Sequence, residues 1–190
     1  MKKILIINAN PKAQSLTKSL SQQYAQSTSD RHQVVSVHVR DLSFDTDLHQ
    51  GYDDIQPLEP DLLELQTHIK WADHIVIFSP VWWGSMPAKF KGVIDRIFLP
   101  GFAFKYEKGK STPLKMLNGK TAELYFTLDT PPFWYKLFQG NVIYKQFKST
   151  IFGITGIKNT STNYFGPVIS AKDKDITHWH HKVSHLAAKV

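Results

Sequence analysis

The chain has no cysteine among its 190 residues. That absence excludes a disulfide scaffold, a cysteine nucleophile, thiolate zinc sites and cysteine-ligated iron–sulfur clusters. Long apolar runs are missing as well. Ile4-Leu5-Ile6-Ile7 opens the chain with only four such residues, against the ~18 of a membrane span. Nothing reads as a signal peptide, so a cytoplasmic protein without membrane insertion is expected. No P-loop lysine motif and no G-x-S-x-G elbow occurs, which leaves nucleotide triphosphatase and hydrolase readings without support. Residues 8–15 contain no glycine and cannot supply a G-x-G-x-x-G pyrophosphate loop. Lysines are dispersed, with no helix-turn-helix or RNP-type motif, so no nucleic-acid partner is expected. His181 and His185 have the i, i+4 spacing of a metal pair but no third ligand in a known pattern; no metal site is expected.

What is present reads as one soluble domain over residues 1–190. The net charge is +7, unevenly placed: residues 41–64 hold eight of the sixteen acidic residues and no Lys or Arg. A basic remainder favours anionic small ligands or simply a solvated surface. Short apolar runs at residues 3–9 and 74–79 have the character of strands covered on both faces. Residues 33–39, 121–127 and 160–165 read as further strands. Helical spacing marks residues 15–26, 62–70, 87–98, 135–152 and 173–189, with Gly140 inside the fourth of these. The acidic stretch, broken by Gly51, Pro57 and Pro60, reads as a long surface excursion. Alternation of this kind predicts an open α/β sheet, five parallel strands in the order 2-1-3-4-5 with helices on both faces. Ligands in such sheets bind at the carboxyl ends of the strands.

Three segments fall at those ends. In N-A-N-P-K-A-Q-S-L-T-K, Ser15 is placed to cap a helix whose first N–H groups, at Leu16 and Thr17, suit a phosphate. A plain cap with Lys18 in solvent fits equally. In S-P-V-W-W-G-S-M-P-A, Trp82 and Trp83 cannot both enter one core, so at least one faces the crevice or a subunit contact. Gly84 allows backbone to approach a ligand closely. In T-L-D-T-P-P-F-W-Y, Pro131-Pro132 predicts an extended turn presenting Phe133, Trp134 and Tyr135 on a loop. Asp129 there is either a turn former or a ligand contact.

Together, KKILIINANPKAQSLT, WADHIVIFSPVWWGSMPAKFKGVIDRIFLPGFAFKY and TLDTPPFWY resemble the NAD(P)H:quinone oxidoreductase family, in its compact bacterial form. The resemblance implies a flavodoxin-like three-layer fold and a flavoprotein that oxidises NAD(P)H and reduces quinones or similar electrophiles by ping-pong transfer. It implies FMN, with FAD as the alternative, and NAD(P)H as co-substrate. By position, Asn10, Ser15, Leu16 and Thr17 correspond to the flavin phosphate turn. Pro80, Val81, Trp82, Trp83 and Gly84 correspond to the loop along the isoalloxazine ring, and Thr127, Leu128, Asp129 and Thr130 to the third flavin loop. The mammalian enzymes carry Thr-Thr-Gly-Gly in that third loop; this chain has lost both glycines and gained Pro131-Pro132, so its backbone takes another path. Tyr135 matches the family's catalytic Tyr, whereas Asn141 stands where its His would be. A homodimer with the active site at the subunit contact is implied too, with Phe133–Tyr135 as a wall. The family also contains regulatory subunits of potassium-efflux transporters, and flavodoxin-type electron carriers share the fold, although such carriers are strongly acidic.

Overall fold

Strand, helix and strand alternate through the first half of the computed structural model, which describes residues 1–190: β1 (Lys3–Asn8), α1 (Leu16–Thr28), β2 (Gln33–His38), α2 (Pro60–Trp71), β3 (His74–Pro80) and α3 (Ala88–Ile97). A small antiparallel hairpin follows, β4 (Phe104–Lys105) with β5 (Leu114–Lys115). The remainder is β6 (Thr121–Thr127), the short helices α4 (Pro132–Leu137), α5 (Val142–Lys145) and α6 (Phe152–Thr155), then β7 (Lys158–Phe165) and α7 (Asp173–Ala187). The main sheet has the order β2-β1-β3-β6-β7, parallel throughout. Counting only its own strands, this is the 2-1-3-4-5 arrangement expected from the alternation.

Both faces of the sheet are covered, which is why β1 and β3 are apolar without a break. Ile7, Ile77 and Phe126 face a core shared with α2, α3 and the α5–α6 segment. Ile6, Val76, Phe78 and Tyr125 face a second core closed by α1 and α7. Within it the Glu123 side chain accepts hydrogen bonds from both the Tyr24 and Tyr125 hydroxyls (3.2 and 2.7 Å). Register brings Pro80, Thr127 and Phe165 level at the carboxyl end of the sheet.

Away from the strand carboxyl ends, the structure departs from the sequence reading in three places. The expected helix over residues 135–152 is interrupted, because Gly140 (φ +75°) and Asn141 (φ +51°) both turn left-handed between α4 and α5. The β4–β5 hairpin, two residues a side, is too short to leave a period-2 pattern. Residues 42–59 lack regular structure, as expected of an excursion, yet they are clamped. Arg96, fully buried on α3, donates from Nη1 to the Asp45 carbonyl and to Glu59 (3.1 Å), and from Nη2 to the Pro57 carbonyl and to Glu59 (2.8 and 2.9 Å).

His74 at the start of β3 is buried, hydrogen-bonded through Nδ1 to the Thr121 hydroxyl (2.7 Å), and its Nε2 has no partner. Burial, reinforced by Lys2 and His32, pushes its pKa down to about 4. A histidine depressed in the folded state contributes stability above its unfolded pKa of ~6.5 and loses it as pH falls through the folded value. Urea titrations should therefore show the wild type losing up to about 3 kcal/mol more than His74→Asn between pH 7 and pH 4. Parallel stability–pH curves for the two proteins would contradict this.

Candidate functional site

The turn between β1 and α1 is folded by its own side chains. Asn10, 5% exposed, accepts from the Lys12 N–H through Oδ1 (3.0 Å) and donates from Nδ2 to the Thr17 hydroxyl (2.9 Å). Ser15 caps α1: its Oγ accepts from the Lys18 N–H (3.2 Å) and lies 3.0 Å from Thr17 Oγ1. The N–H groups of Ser15, Leu16 and Thr17 have no protein acceptor and open toward the crevice end of the helix. Three such donors at a helix N-terminus form an anion cradle. Lys18, a cation in the first turn, does not swing into solvent but folds back to donate to the Ala13 carbonyl (3.2 Å).

After β3 the chain makes a tight reversal at Trp82–Ser85. Trp82 and Ser85 exchange reciprocal backbone hydrogen bonds (2.9 and 3.0 Å), and Trp83 and Gly84 between them have φ +49° and +79°. Two positive φ angles inside a reciprocal pair are the pattern of a type I′ turn, which ordinarily selects Asn-Gly. Gly84 meets that demand without cost, whereas a tryptophan there is strained by roughly 1–2 kcal/mol. The ring gains nothing within the chain to offset this, because Trp83 is 102% exposed, and Trp82 is 42% exposed. Neither the Trp83 nor the Gly84 N–H has an acceptor. Strain held in a bulky, unpacked aromatic beside two free donors marks a place shaped for a ligand.

The third loop corrects the sequence reading. Pro131 is extended but Pro132 is the first residue of α4, so Phe133, Trp134 and Tyr135 are helical and not on a loop. Proline suits that first position because it lacks an N–H that the helix would leave unpaired. Phe133 and Trp134 are exposed; Tyr135 is buried. The Tyr135 hydroxyl donates to the Gly84 carbonyl (2.8 Å) and accepts from the Ile143 N–H (3.0 Å), tying the Trp83 turn to α5. Burial raises its pKa. Asn141 Oδ1 accepts from the Tyr164 hydroxyl (2.7 Å).

The three loops meet. A cavity of about 240 Å³ is lined by Asn10, Ser15, Leu16 and Thr17, by Pro80, Val81 and Trp82, and by Thr127, Leu128 and Asp129. A second, of about 460 Å³, shares Val81, Leu128 and Asp129 and adds Trp83, Gly84, Thr130 and Tyr135. Every residue matched to the three flavin loops, and Tyr135, lines one cavity or the other, whereas Phe133, Trp134 and Asn141 line neither. Sequence reasoning missed Lys12, Val168, Gln139 and Val142. Val168 had a signal: it follows Gly166-Pro167 at the end of β7, and a Cβ on Gly166 would lie 2.3 Å from the Leu128 carbonyl oxygen. Nowhere do three or more His, Asp or Glu side chains gather as a metal site would need, and His178, His181 and His185 are exposed on α7.

The geometry has counterparts in known proteins. A family model described as the flavodoxin-like fold matches residues 2–186. An uncharacterized NAD(P)H oxidoreductase of Haemophilus influenzae is 31% identical over 115 residues, 60% of this chain and 56% of its own. An FMN-dependent NADH:quinone oxidoreductase of Alcanivorax borkumensis is 34% identical over 105 residues, 47% of this chain and 52% of its own. The chain thus spans about half the length of these curated relatives. A solved protein of Streptococcus mutans superposes with a TM-score of 0.75 at 25% identity, covering 98% of this chain and 99% of its own.

Proposed function

We propose, for a chain that belongs to the flavodoxin-like fold family, that this protein is a flavin-dependent NAD(P)H oxidoreductase acting on quinones or similar small electrophiles. The observation that carries the reading is the meeting of three loops around adjoining cavities, with unpartnered N–H groups at both ends. Those donors fit FMN: an anion cradle at α1 for the phosphate, and the Trp83–Gly84 turn for the ring edge. FAD is the alternative cofactor. Bound flavin would supply the redox chemistry, taking two electrons from NAD(P)H and passing them to the acceptor.

The chain's own residues position and shield. Ser15, Leu16 and Thr17 donate to the phosphate, with Asn10 holding the turn that aims them. The Trp83 and Gly84 N–H groups, which have no protein acceptor, would offer a bound ring fixed donors for developing negative charge. Trp82 and Trp83 offer aromatic faces, and Thr127, Leu128, Asp129 and Thr130 close the far side with Pro80 and Val81. Tyr135 enters as the residue that holds the turn. Both capacities of its hydroxyl are already used, so it acts on the reaction through Gly84 rather than as a free proton relay. NAD(P)H and acceptor would use the larger cavity in turn, hence ping-pong kinetics. A homodimer closing this site belongs to the same proposal, supported by the exposed Phe133, Trp134, Leu137 and Phe138 on and beside α4. The proposed setting is the cytoplasm; no helix of the structure is long and apolar enough to cross a membrane.

The test is the visible spectrum of the purified protein, then anaerobic NADH and NADPH. Flavin bands that bleach with either support the reductase, and chromatography of the released cofactor separates FMN from FAD. Bands that persist point to an electron carrier or a transporter regulator. Protein that stays colourless with added FMN and FAD overturns the reading.

Trp83 gives an expectation with two opposite signs. Trp83→Gly removes the left-handed strain and should raise the apoprotein's stability by about 0.5–1 kcal/mol. It also removes a ring face and should weaken FMN retention about 10-fold. Calorimetry and fluorescence titration read the two effects separately, and a destabilised variant would refute the strain argument.

A further inference from the structure

The larger of the two cavities at the strand carboxyl ends carries charge at one point only. Its wall holds Asp129 and no Lys, Arg or His; Thr130, Gln139 and the Tyr135 hydroxyl are its other polar side-chain groups. The Asp129 carboxylate pairs with no cation of the chain. Lys136, the first cation after this loop in sequence, stands 4.3 Å from the Tyr164 ring centroid and does not enter the wall. The smaller cavity differs, because Lys12 lines it together with the free N–H groups of Leu16 and Thr17. Asp129 belongs to both walls. The crevice is therefore positive at its α1 end and negative where it widens.

The aromatic wall has the same preference. Trp83 lines the larger cavity and is fully exposed. An indole face attracts cations more strongly than any other aromatic side chain does. A carboxylate beside it adds to that attraction and repels anions. Proton supply points the same way. The Tyr135 hydroxyl already donates to the Gly84 carbonyl, and no histidine lines the cavity. A neutral quinone consumes a proton as well as a hydride on its way to the hydroquinone. An electrophile that starts as a cation consumes the hydride alone.

We infer that the acceptor site selects by charge: Asp129 and Trp83 favour planar cationic electrophiles, of the iminium or phenothiazinium kind, over anionic ones. The overall step is a net hydride transfer. A C–H bond of the dihydronicotinamide breaks, leaving NAD(P)+, and an N–H or C–H bond forms on the acceptor, which becomes neutral. No proton is left over or required. The inference rests on the proposed reductase activity and narrows its acceptors.

The experiment measures kcat/KM on the flavin-loaded protein at low salt, with methylene blue as the cation and a sulfonated naphthoquinone as the anion. Wild type, Asp129→Asn and Asp129→Glu are compared, so that the acceptors' own reactivities cancel between variants. Asp129→Asn should lower the cation-to-anion ratio about 10-fold or more, and Asp129→Glu should keep it. Rising salt should compress the wild-type ratio. An unchanged ratio in Asp129→Asn overturns the inference, as does equal loss with both acceptors, which would mean a structural role. Oxidation of NAD(P)H by a neutral quinone but not by methylene blue overturns the inference alone. Oxidation by none of the three defeats the reductase reading and the inference with it. Calorimetric titration of methylene blue into the oxidised protein reads the selection without turnover. Asp129→Asn should bind the dye about 5-fold more weakly than wild type and Asp129→Glu as tightly; equal affinity in Asp129→Asn rejects the charge selection.

Discussion

Replacing Ser15 with aspartate should weaken FMN binding by a factor of about 100 or more while leaving the apoprotein as stable as before, or slightly more so. Aspartate caps a helix as well as serine does and can accept from the Lys18 N–H in the same way. Its charge interacts favourably with the N-terminal end of the α1 dipole. The same charge stands beside the free Leu16 and Thr17 N–H groups, where the phosphate would bind. Two unit charges about 5 Å apart at an effective dielectric constant near 20 repel by roughly 3 kcal/mol, and a phosphate carries more than one. Fluorescence titration with FMN and a thermal melt of the apoprotein measure the two sides. Unchanged FMN affinity would remove the phosphate from the α1 turn, and with it the proposed cofactor orientation. A large drop in melting temperature would show that the cap geometry had collapsed, which the equivalence of the two cap residues argues against.

Arg96→Leu should cost about 3–5 kcal/mol, the largest stability loss expected of any single change discussed. Arg96 is fully buried and joins four acceptors from the excursion over residues 42–59. A leucine fills similar volume but leaves the Glu59 carboxylate and the Asp45 and Pro57 carbonyls facing an apolar side chain. With a chain of this size the melting temperature should fall by about 10 °C. Proteolysis should find residues 42–59 first, since no other side chain grips that segment at both ends. Acid should mimic the mutation in part. Burial works to raise the Glu59 pKa, but N–H groups of Asp45 and Glu59 together with Arg96 outweigh it and hold the carboxyl below its usual range. A carboxylate depressed in the folded state contributes stability above its unfolded pKa of ~4.3 and loses it as pH falls through the folded value. Glu59→Gln should therefore flatten the stability curve below about pH 4.5, a window distinct from that of His74. A variant at Arg96 that melts with the wild type would mean the excursion is held by its other bonds, from Lys89 to the Leu42 carbonyl and from the Ser43 and Asp45 N–H groups to Asp61 and Glu59, and not by the arginine.

The open α/β sheet and its strand order were legible because the central strands β1 and β3 are short and apolar on both faces, and helical spacing separates successive strands. The three loops of the site were legible for a related reason: in such a sheet every candidate must sit where a strand ends, and Asn10, Trp82 and Leu128 all do. Local chemistry also decided the Ser15 cap, since a cap needs only its own helix. The rest depended on partners distant in sequence. Whether Pro131-Pro132 begins a loop or a helix was settled by Tyr135 reaching Gly84, fifty-one positions away. The left-handed Trp83 is imposed by the closure of Trp82 on Ser85 and by that same tyrosine, against the residue's own preference. The acidic excursion looked solvated because acidic residues usually are; only the fold supplied the buried guanidinium that turns it inward. Periodicity reports which face of an element is covered, and so the sequence alone determined the layers. It carries no information on which distant side chain meets which, and that is what the tertiary structure decided.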